Sequence, residues 1–210
     1  MIPLSHHHIV VQLIIILYTN EMFYKLITLT VTFIVSIIFS VNVMAIEEPQ
    51  YDLINKTHSY EIRMYKERLA AQTIKNSGPD RAFMRLFDYI SGSNQNSSKI
   101  DMTAPVIEYE IDNGKVMNFF LPEIYSKSNA PKPNSENINL VTIKGGPYAV
   151  IKYSGRSSYD NFLKYVKILQ EFLIKDNVKT IGEPIKATYN GPMTPFFLRR
   201  NEVMFRINLK

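Results

Sequence analysis

The sequence predicts an α+β fold: a distorted eight-stranded antiparallel β-barrel or sheet with two helices packed against it. Eight segments alternate apolar and polar residues as strands do, and two segments repeat apolar residues at helical spacing. The order strand, strand, helix, strand, strand occurs twice, which indicates a twofold repeat. Neither half could bury both faces of its sheet alone, so we expect one domain over residues 60–210.

The first half of this domain begins at Tyr60, where a clear period-two pattern starts. Its helix places Phe83, Leu86, Phe87 and Ile90 on one face. Pro105 lies inside the third predicted strand, which therefore requires a sheet edge or a bulge at that position. The predicted strands of this half are 60–65, 68–75, 102–111 and 115–122, and the predicted helix is 80–90.

The second half repeats this order at an offset of 79 residues, which aligns Ala70 with Ala149 and Pro105 with Pro184. Its helix is strongly amphipathic, and its apolar face consists of Phe162, Tyr165, Val166, Leu169, Phe172 and Leu173. The predicted strands of this half are 138–144, 148–155, 183–191 and 202–209, and the predicted helix is 157–177.

The N-terminal region differs in composition from the rest of the chain. Residues 26–39 form a continuous apolar run, and Val43 and Ala45 are the small residues expected before a signal-peptidase cut. We therefore expect a signal peptide over residues 22–45 and an exported protein, periplasmic or secreted. The alternative is an uncleaved membrane anchor, since residues 26–46 are just long enough to span a bilayer.

Met22 would begin a conventional signal peptide, with Lys25 as its charged residue. We therefore expect translation to start at Met22, so that residues 1–21 are an upstream extension outside the protein. Residues 46–59 lack a period and are predicted to be a leader before the domain.

Composition excludes several classes of function. The chain has no Cys, which excludes disulfides, zinc–thiolate sites, iron–sulfur clusters and thiol nucleophiles. The net charge of +5 is small for 210 residues and mixed in sign, so nucleic acid is not an expected partner. No catalytic constellation is visible, and we expect a protein that is not an enzyme.

Six stretches occur in a characteristic order over about residues 58–207: YEIRMY, AFMRLFDYISGSNQ, KIDMTAPV, FFLP, PYAVIKYSG and YNGPMTPFFLRRNEVMF. In order and spacing they resemble the SOUL haem-binding protein family, and "MTAPV" and "RRNEV" are the most specific blocks. The resemblance implies an eight-stranded barrel with two helices, in agreement with the repeat. It also implies haem or another tetrapyrrole as a possible cofactor, bound in some members by burial in a groove.

In this chain the groove is predicted between the first helix and the loop before the last strand. The helix would contribute Phe83, Met84 and Phe87, and the loop would contribute Met193, Phe196 and Phe197. A few large aromatic side chains could hold a flat macrocycle without an iron ligand, because burying each one is worth roughly 2–3 kcal/mol. The alternative is that Phe83, Phe87 and Phe197 belong to the core.

Two residues are candidate iron ligands, His58 and Met64. The alternatives are a solvated or capping histidine and a core-filling methionine. Porphyrin propionates need cations. Haem-binding members that resemble this chain carry basic residues where this chain has Asp80, Asp88 and Thr194, so the remaining candidate cations are Lys75, Arg81 and Arg85.

The polar groups at 199–202, Arg-Arg-Asn-Glu, are predicted to be structural. An arginine fork would bond backbone carbonyls or carboxylates, Asn201 would bend the chain, and Glu202 would pair with an arginine. The sequence therefore predicts an exported, monomeric, non-enzymatic tetrapyrrole-binding protein for haem capture, buffering or transfer. The alternatives are a binding module for another apolar or cationic small molecule and a membrane-associated interaction protein.

Overall fold

The computed structural model describes residues 20–21, 23–33, 46–75, 80–112 and 114–209. The chain divides into two compact units, residues 1–45 and residues 46–210. The predicted start at Met22 and the predicted cleavage site at Ala45 lie outside the described residues.

In the first unit, residues 23–33 are helical. Within the described part of the chain, no helix combines the length and the apolar character needed to cross a bilayer. The predicted apolar run continues past residue 33 into residues that the structure does not describe.

The second unit contains nine strands and two α-helices within its described residues, with one short 3₁₀ turn at Phe196–Leu198. The helices are α1 (Ala82–Ile90) and α2 (Tyr159–Lys175). The strands are β1 (Tyr51–Lys56), β2 (Glu61–Tyr65), β3 (Arg68–Lys75), β4 (Val106–Ile111), β5 (Gly114–Phe120), β6 (Asn139–Ile143), β7 (Gly146–Tyr153), β8 (Thr180–Thr188) and β9 (Asn201–Ile207).

The strands form one antiparallel sheet in the order β1-β2-β7-β9-β8-β4-β5-β3-β6. Within the described residues, the edge strands β1 and β6 do not pair with each other, so the sheet is open. Of the two predicted forms, the antiparallel sheet is confirmed and a closed barrel is not. The predicted count of eight strands is wrong, because β1 lies in the segment predicted to be a leader. All six side chains of β1 are exposed, so its sequence has no alternating burial to reveal it.

After β1, the element order strand, strand, helix, strand, strand occurs twice along the chain. The first set runs from β2 to β5 around α1, and the second runs from β6 to β9 around α2. This order alone does not establish an internal repeat of sequence, which stays a prediction.

Both helices pack on the same face of the sheet. Leu86 of α1 contacts a cluster that includes Phe119 of β5, and α2 covers a second cluster that includes Val203 of β9. Residues that pair across neighbouring strands point to the same face of the sheet. The pairs that link β5 to β9 in this way are Phe119–Val106, Val106–Thr188 and Thr188–Asn201. A third apolar cluster, which includes Ile107 and Met204, occupies the opposite face.

Two boundaries differ from the predictions in ways that affect the site. Strand β4 begins at Val106, four residues later than predicted. The residue before it is Pro105, which has no backbone N–H to donate to a ladder and follows a cis peptide bond. β4 pairs with both β5 and β8, so it is an interior strand, and Pro105 removes no hydrogen bond from the ladder. Helix α2 begins after Ser158, whose hydroxyl accepts a hydrogen bond from the backbone N–H of Asn161.

Candidate functional site

Helix α1 turns one face into the core and another to the surface. Its buried residues are Ala82, Leu86, Tyr89 and Ile90, whereas Phe83 and Phe87 are each 42% exposed. Phe83 and Phe87 lie one helical turn apart and stack with their ring centroids 6.2 Å apart. The alternative that Phe83 and Phe87 are core residues is therefore wrong.

These two rings line an open cavity of about 430 Å³, which we call the α1 groove. Its floor is apolar and comes from the start of β4 and from β5, and its far wall is the chain that follows β8. The volume is within the usual range for small-molecule sites. The lining residues are Ile46, Phe83, Phe87, Met102, Thr103, Ala104, Val106, Glu108, Met117, Ser157, Thr188, Tyr189, Asn190, Gly191, Pro192 and Arg199.

The six predicted groove residues are not all brought together. Phe83 and Phe87 line the α1 groove, but Met84 does not, although it lies on the same helix. Met193 and Phe196 line a separate, shallow depression beside the groove. Phe197 follows them on the same loop and is 63% exposed. The chain between Asn190 and Pro192 contacts the groove in their place, because the loop turns outward after Pro192.

Both predicted iron ligands lie away from the α1 groove. Met64 is on β2, where it pairs with Asp52 and Pro147, and His58 is an exposed residue before that strand. The groove lies over β4 and β5, which are not neighbours of β2 in the sheet. Neither residue is among those that line the groove.

Two other methionines do line the groove and were missed by sequence reasoning. Met117 points from β5 into the core cluster beneath α1, and Met102 packs against that cluster. Met102 belongs to the "MTAPV" block, which was the only sequence signal for it. Within the described residues, no group of three His, Cys, Asp or Glu side chains could hold a metal ion, so thioethers are the soft donors of this cavity.

The cations predicted to bind propionates are mostly engaged elsewhere. Arg85 pairs with Asp80 at 2.9 Å and donates to the carbonyl oxygen of Ile74 at 2.6 Å. Lys75 donates to Glu108 at 2.7 Å, and Lys186 donates to the other oxygen of that carboxylate at 3.1 Å. The described lining of the groove therefore contains one acid, Glu108, which two lysines hold, and one cation, Arg199, which donates to backbone carbonyl oxygens.

Glu108 marks the boundary between the α1 groove and a second cavity of about 420 Å³ under the start of α2. Burial by itself would raise the pKa of the Glu108 carboxyl, but Lys186 and Lys75 outweigh that effect and the pKa is lowered. The carboxylate is thus ionised at neutral pH.

The polar groups at 199–202 are mostly structural, as predicted. Arg199 donates to the carbonyl oxygens of Thr194 and Pro192, at 2.7 Å each, and so holds the loop that precedes β9. Glu202 pairs with Arg200 at 2.9 Å. Asn201 does not bend the chain; it is the first residue of β9 and donates to the carbonyl oxygen of Gly155.

Glu202 also takes part in a buried charge cluster that the sequence did not predict. Its carboxylate is fully buried and accepts from Arg63, also fully buried, at 3.0 Å. Tyr189 donates to the same carboxylate at 2.9 Å, and burial together with Glu202 raises the pKa of Tyr189, which keeps its hydroxyl protonated. Arg63 and Glu202 lie opposite the face that carries α1, so these two residues support the sheet, whereas Tyr189 also lines the groove.

An open antiparallel sheet that supports two helices and leaves an apolar groove beside one of them defines a small α+β domain with a cavity of the usual size for small-molecule sites. The model of the family described as "SOUL heme-binding protein" matches residues 46–206. The chain therefore belongs to the SOUL haem-binding protein family, and the predicted resemblance is confirmed.

Solved structures with related folds have very different sequences. A crystal structure of a hydrolase from Listeria innocua is 9% identical with a TM-score of 0.54, and the match covers 74% of this chain and 94% of that one. The crystal structure of the EcmrR C-terminal domain is 12% identical with a TM-score of 0.56, over 76% of this chain and 99% of that one. These similarities show the fold alone. No curated protein matches the chain in sequence.

Proposed function

We propose that this protein is an exported, non-enzymatic tetrapyrrole carrier that holds haem or a related macrocycle in the α1 groove. The observation that carries the proposal is the stacked, half-exposed pair Phe83 and Phe87 on the wall of an apolar cavity, in a chain of a haem-binding family. Its role would be capture, buffering or transfer of the macrocycle.

The residues of the groove fit the ring of a macrocycle better than its carboxylates. Two aromatic faces and the apolar floor would contact the ring, and each large aromatic side chain that becomes buried contributes roughly 2–3 kcal/mol. The two half-exposed rings would together add roughly 2–3 kcal/mol, and burial of the macrocycle's own apolar surface against the floor would supply the rest of the roughly 8 kcal/mol that micromolar affinity without an iron ligand requires. Bound haem would supply iron-centred redox and ligand chemistry, and Met102 and Met117 are the residues here that could donate a thioether to it.

The non-enzymatic role and the export are parts of the same proposal. The groove's described lining contains one carboxylate, Glu108, which two lysines hold, and it contains no histidine or cysteine to act as a base or nucleophile. Export is supported by the apolar run at 26–39 followed by Val43 and Ala45.

A second ligand class is favoured by one observation. Lys75 and Arg85 are bonded to acids, so an apolar or cationic small molecule, unlike a dianionic porphyrin, would require none of the cations that these acids already hold. Haem differs from such a ligand because its two carboxylates need cationic partners in the site.

A haem titration of residues 46–210 tests the proposal, because this unit contains all three described core clusters. We expect a saturable one-to-one shift of the Soret band that Phe87→Ala weakens at least about tenfold, the loss of roughly half an aromatic side chain's burial. Met102→Leu would move the band position if its thioether binds iron, and Met64→Leu, outside the groove, would leave both affinity and band unchanged.

The absence of a saturable shift, or a shift that Phe87→Ala leaves intact, would contradict the haem-groove proposal. Competition of an uncharged or cationic porphyrin analogue against haem separates the two ligand classes. Tighter binding of the cationic analogue, lost in Glu108→Gln, would favour the second class.

A further inference from the structure

The loop that leads into β9 presents an unusual set of apolar side chains to solvent. Met193 is 93% exposed, Phe196 53%, Phe197 63% and Leu198 66%. We call residues 193–198 the apolar loop. Four large apolar side chains on one projecting loop form the kind of exposed apolar patch that marks an interaction site on a folded protein.

The backbone of the apolar loop is held firmly, so its apolar side chains do not collapse onto the domain. Arg199 ties the loop through two carbonyl oxygens, those of Pro192 and Thr194. The backbone N–H of Gly155 donates to the carbonyl oxygen of Phe196 at 2.9 Å. The exposure is therefore built into the fold.

The two phenylalanine rings of the loop are unsuited to hold a flat ligand. Phe196 and Phe197 meet edge to face, at an angle of 88° between their planes and 5.6 Å between their centroids. Two perpendicular rings cannot both lie on one face of a macrocycle, in contrast to the nearly parallel pair Phe83 and Phe87. Neither ring is among the residues that line the α1 groove, so their exposure requires another explanation.

The charges beside the apolar loop are positive. Arg156 and Arg199 line the depression next to Met193 and Phe196, and the described residues that line it include no carboxylate. Arg156 is exposed, and its guanidinium has no hydrogen bond or ion pair among the described residues. Apolar tips flanked by unpaired arginine charge match the interface of a bilayer that contains anionic lipids.

We propose that the apolar loop docks the protein on the surface of an anionic phospholipid bilayer. Met193, Phe196, Phe197 and Leu198 would enter the headgroup region, and Arg156 would contact lipid phosphates. Pro192 and Arg199 line both the depression and the α1 groove, so docking would bring the mouth of the groove to the lipid surface. This contact does not depend on the N-terminal apolar run.

Flotation of residues 46–210 with lipid vesicles tests the proposal without the N-terminal run. Vesicles of phosphatidylcholine with phosphatidylglycerol are compared with pure phosphatidylcholine at low and physiological salt. We expect association with the anionic vesicles, reduced at least about tenfold in the double variant Phe196→Ser with Phe197→Ser. Arg156→Gln should weaken the preference for anionic vesicles. The part of the vesicle association that does not change with salt concentration should remain.

A matched control removes two apolar side chains elsewhere that are more exposed than the two phenylalanines, Ile124→Ser with Ile174→Ser, which are 74% and 76% exposed. This control should associate with vesicles as the wild type does. Circular dichroism and the haem titration, run on every variant, separate a failure of docking from a failure of folding or of ligand binding.

Three outcomes would overturn the proposal. They are no association with anionic vesicles, equal association with neutral vesicles, and association that survives the loss of both phenylalanines. A dimer in sedimentation that the loop variant abolishes, without vesicle binding, would assign the apolar loop to a second copy of this chain instead.

Discussion

At the scale of single residues, the fully buried ion pair between Arg63 and Glu202 is the feature with the largest consequence for stability. Two charges taken out of water are tolerated only when each keeps its partners, and here Glu61 and Arg200 extend the cluster at both ends. Tyr51 covers the guanidinium of Arg63 at 4.4 Å. The cluster therefore ties β1, β2 and β9 together.

Replacing Arg63 with methionine should lower the free energy of unfolding by about 3–5 kcal/mol, because the fully buried Glu202 and the mostly buried Glu61 both lose the cation that they share. Urea unfolding measures this. Lys152→Met is the control, since Lys152 is half exposed and only 3.6 Å from Glu61; a surface pair is worth about 0–1 kcal/mol. Equal losses in both variants would contradict this role of the buried pair.

Glu108 gives a pH-dependent contribution whose sign is set by its lowered pKa. Because the folded-state pKa lies below the ordinary value of 4.5, the contribution is present above that value and is lost as pH falls through the folded-state pKa. We expect Glu108→Gln to be less stable than wild type at pH 7, with a gap that narrows as the pH falls below about 4.5.

Unfolding free energies of the two proteins, measured in urea between pH 7 and pH 3, test this expectation. A gap that stays constant over that range would show that the carboxylate is not stabilised by Lys75 and Lys186. Glu123→Gln serves as a control, because no ion pair joins this glutamate to a described residue.

At the scale of elements, α1 divides its side chains between the core and the groove within a single turn. Leu86 is completely buried, and its neighbour Phe87 is half exposed. The amphipathic pattern predicted one apolar face for Phe83, Leu86, Phe87 and Ile90, but the helix uses only part of that face for packing. The rest of it is left as the wall of the groove.

This division predicts opposite phenotypes for adjacent residues. Leu86→Ala should cost about 2–5 kcal/mol of stability, as large-to-small changes in a core do. Phe87→Ala should cost clearly less, because half of its surface already contacts solvent, yet it should weaken haem binding. Thermal or urea unfolding measures the stability of the two variants, and the haem titration measures their affinity for haem. A stability loss for Phe87→Ala as large as that for Leu86→Ala would make Phe87 a core residue.

At the scale of the whole second unit, the segment before β2 fastens distant parts of the sheet. Glu47 pairs with Arg68 of β3 at 2.6 Å, and Glu48 pairs with Arg200 before β9 at 2.8 Å. The carbonyl oxygen of Glu47 also accepts from the backbone N–H of Ala104 at 2.9 Å. This segment, predicted to be a leader, is part of the folded domain.

Removing residues 46–56 should therefore destabilise the domain by at least about 1 kcal/mol, since Arg68 loses its carboxylate partner. It should also expose the edge of β2, which is then free to pair with another chain. Urea unfolding and sedimentation velocity of residues 57–210 measure both effects. A truncated protein as stable and as monodisperse as residues 46–210 would show that the segment does not stabilise the domain.

Local pattern was sufficient for much of the fold. Both helices and eight of the nine strands were predictable, because burial of one face imposes a period on neighbouring residues. The apolar face of α2 was predicted almost completely, since Phe162, Val166, Leu169 and Leu173 are all buried. Strand β1 was not predictable, because a strand with no buried side chain carries no period.

The sequence by itself determined the alternation of strands and helices, the absence of thiol chemistry and, through its ordered motifs, the family. Only the tertiary structure decided that the sheet is open, that Met102 rather than Met64 lines the groove with Phe87, and that Arg63 pairs with Glu202. The physical reason is the separation along the sequence between the residues that determine each feature. Periodicity is a property of neighbouring residues, whereas a groove or a buried ion pair depends on strand register between residues as far as 139 positions apart.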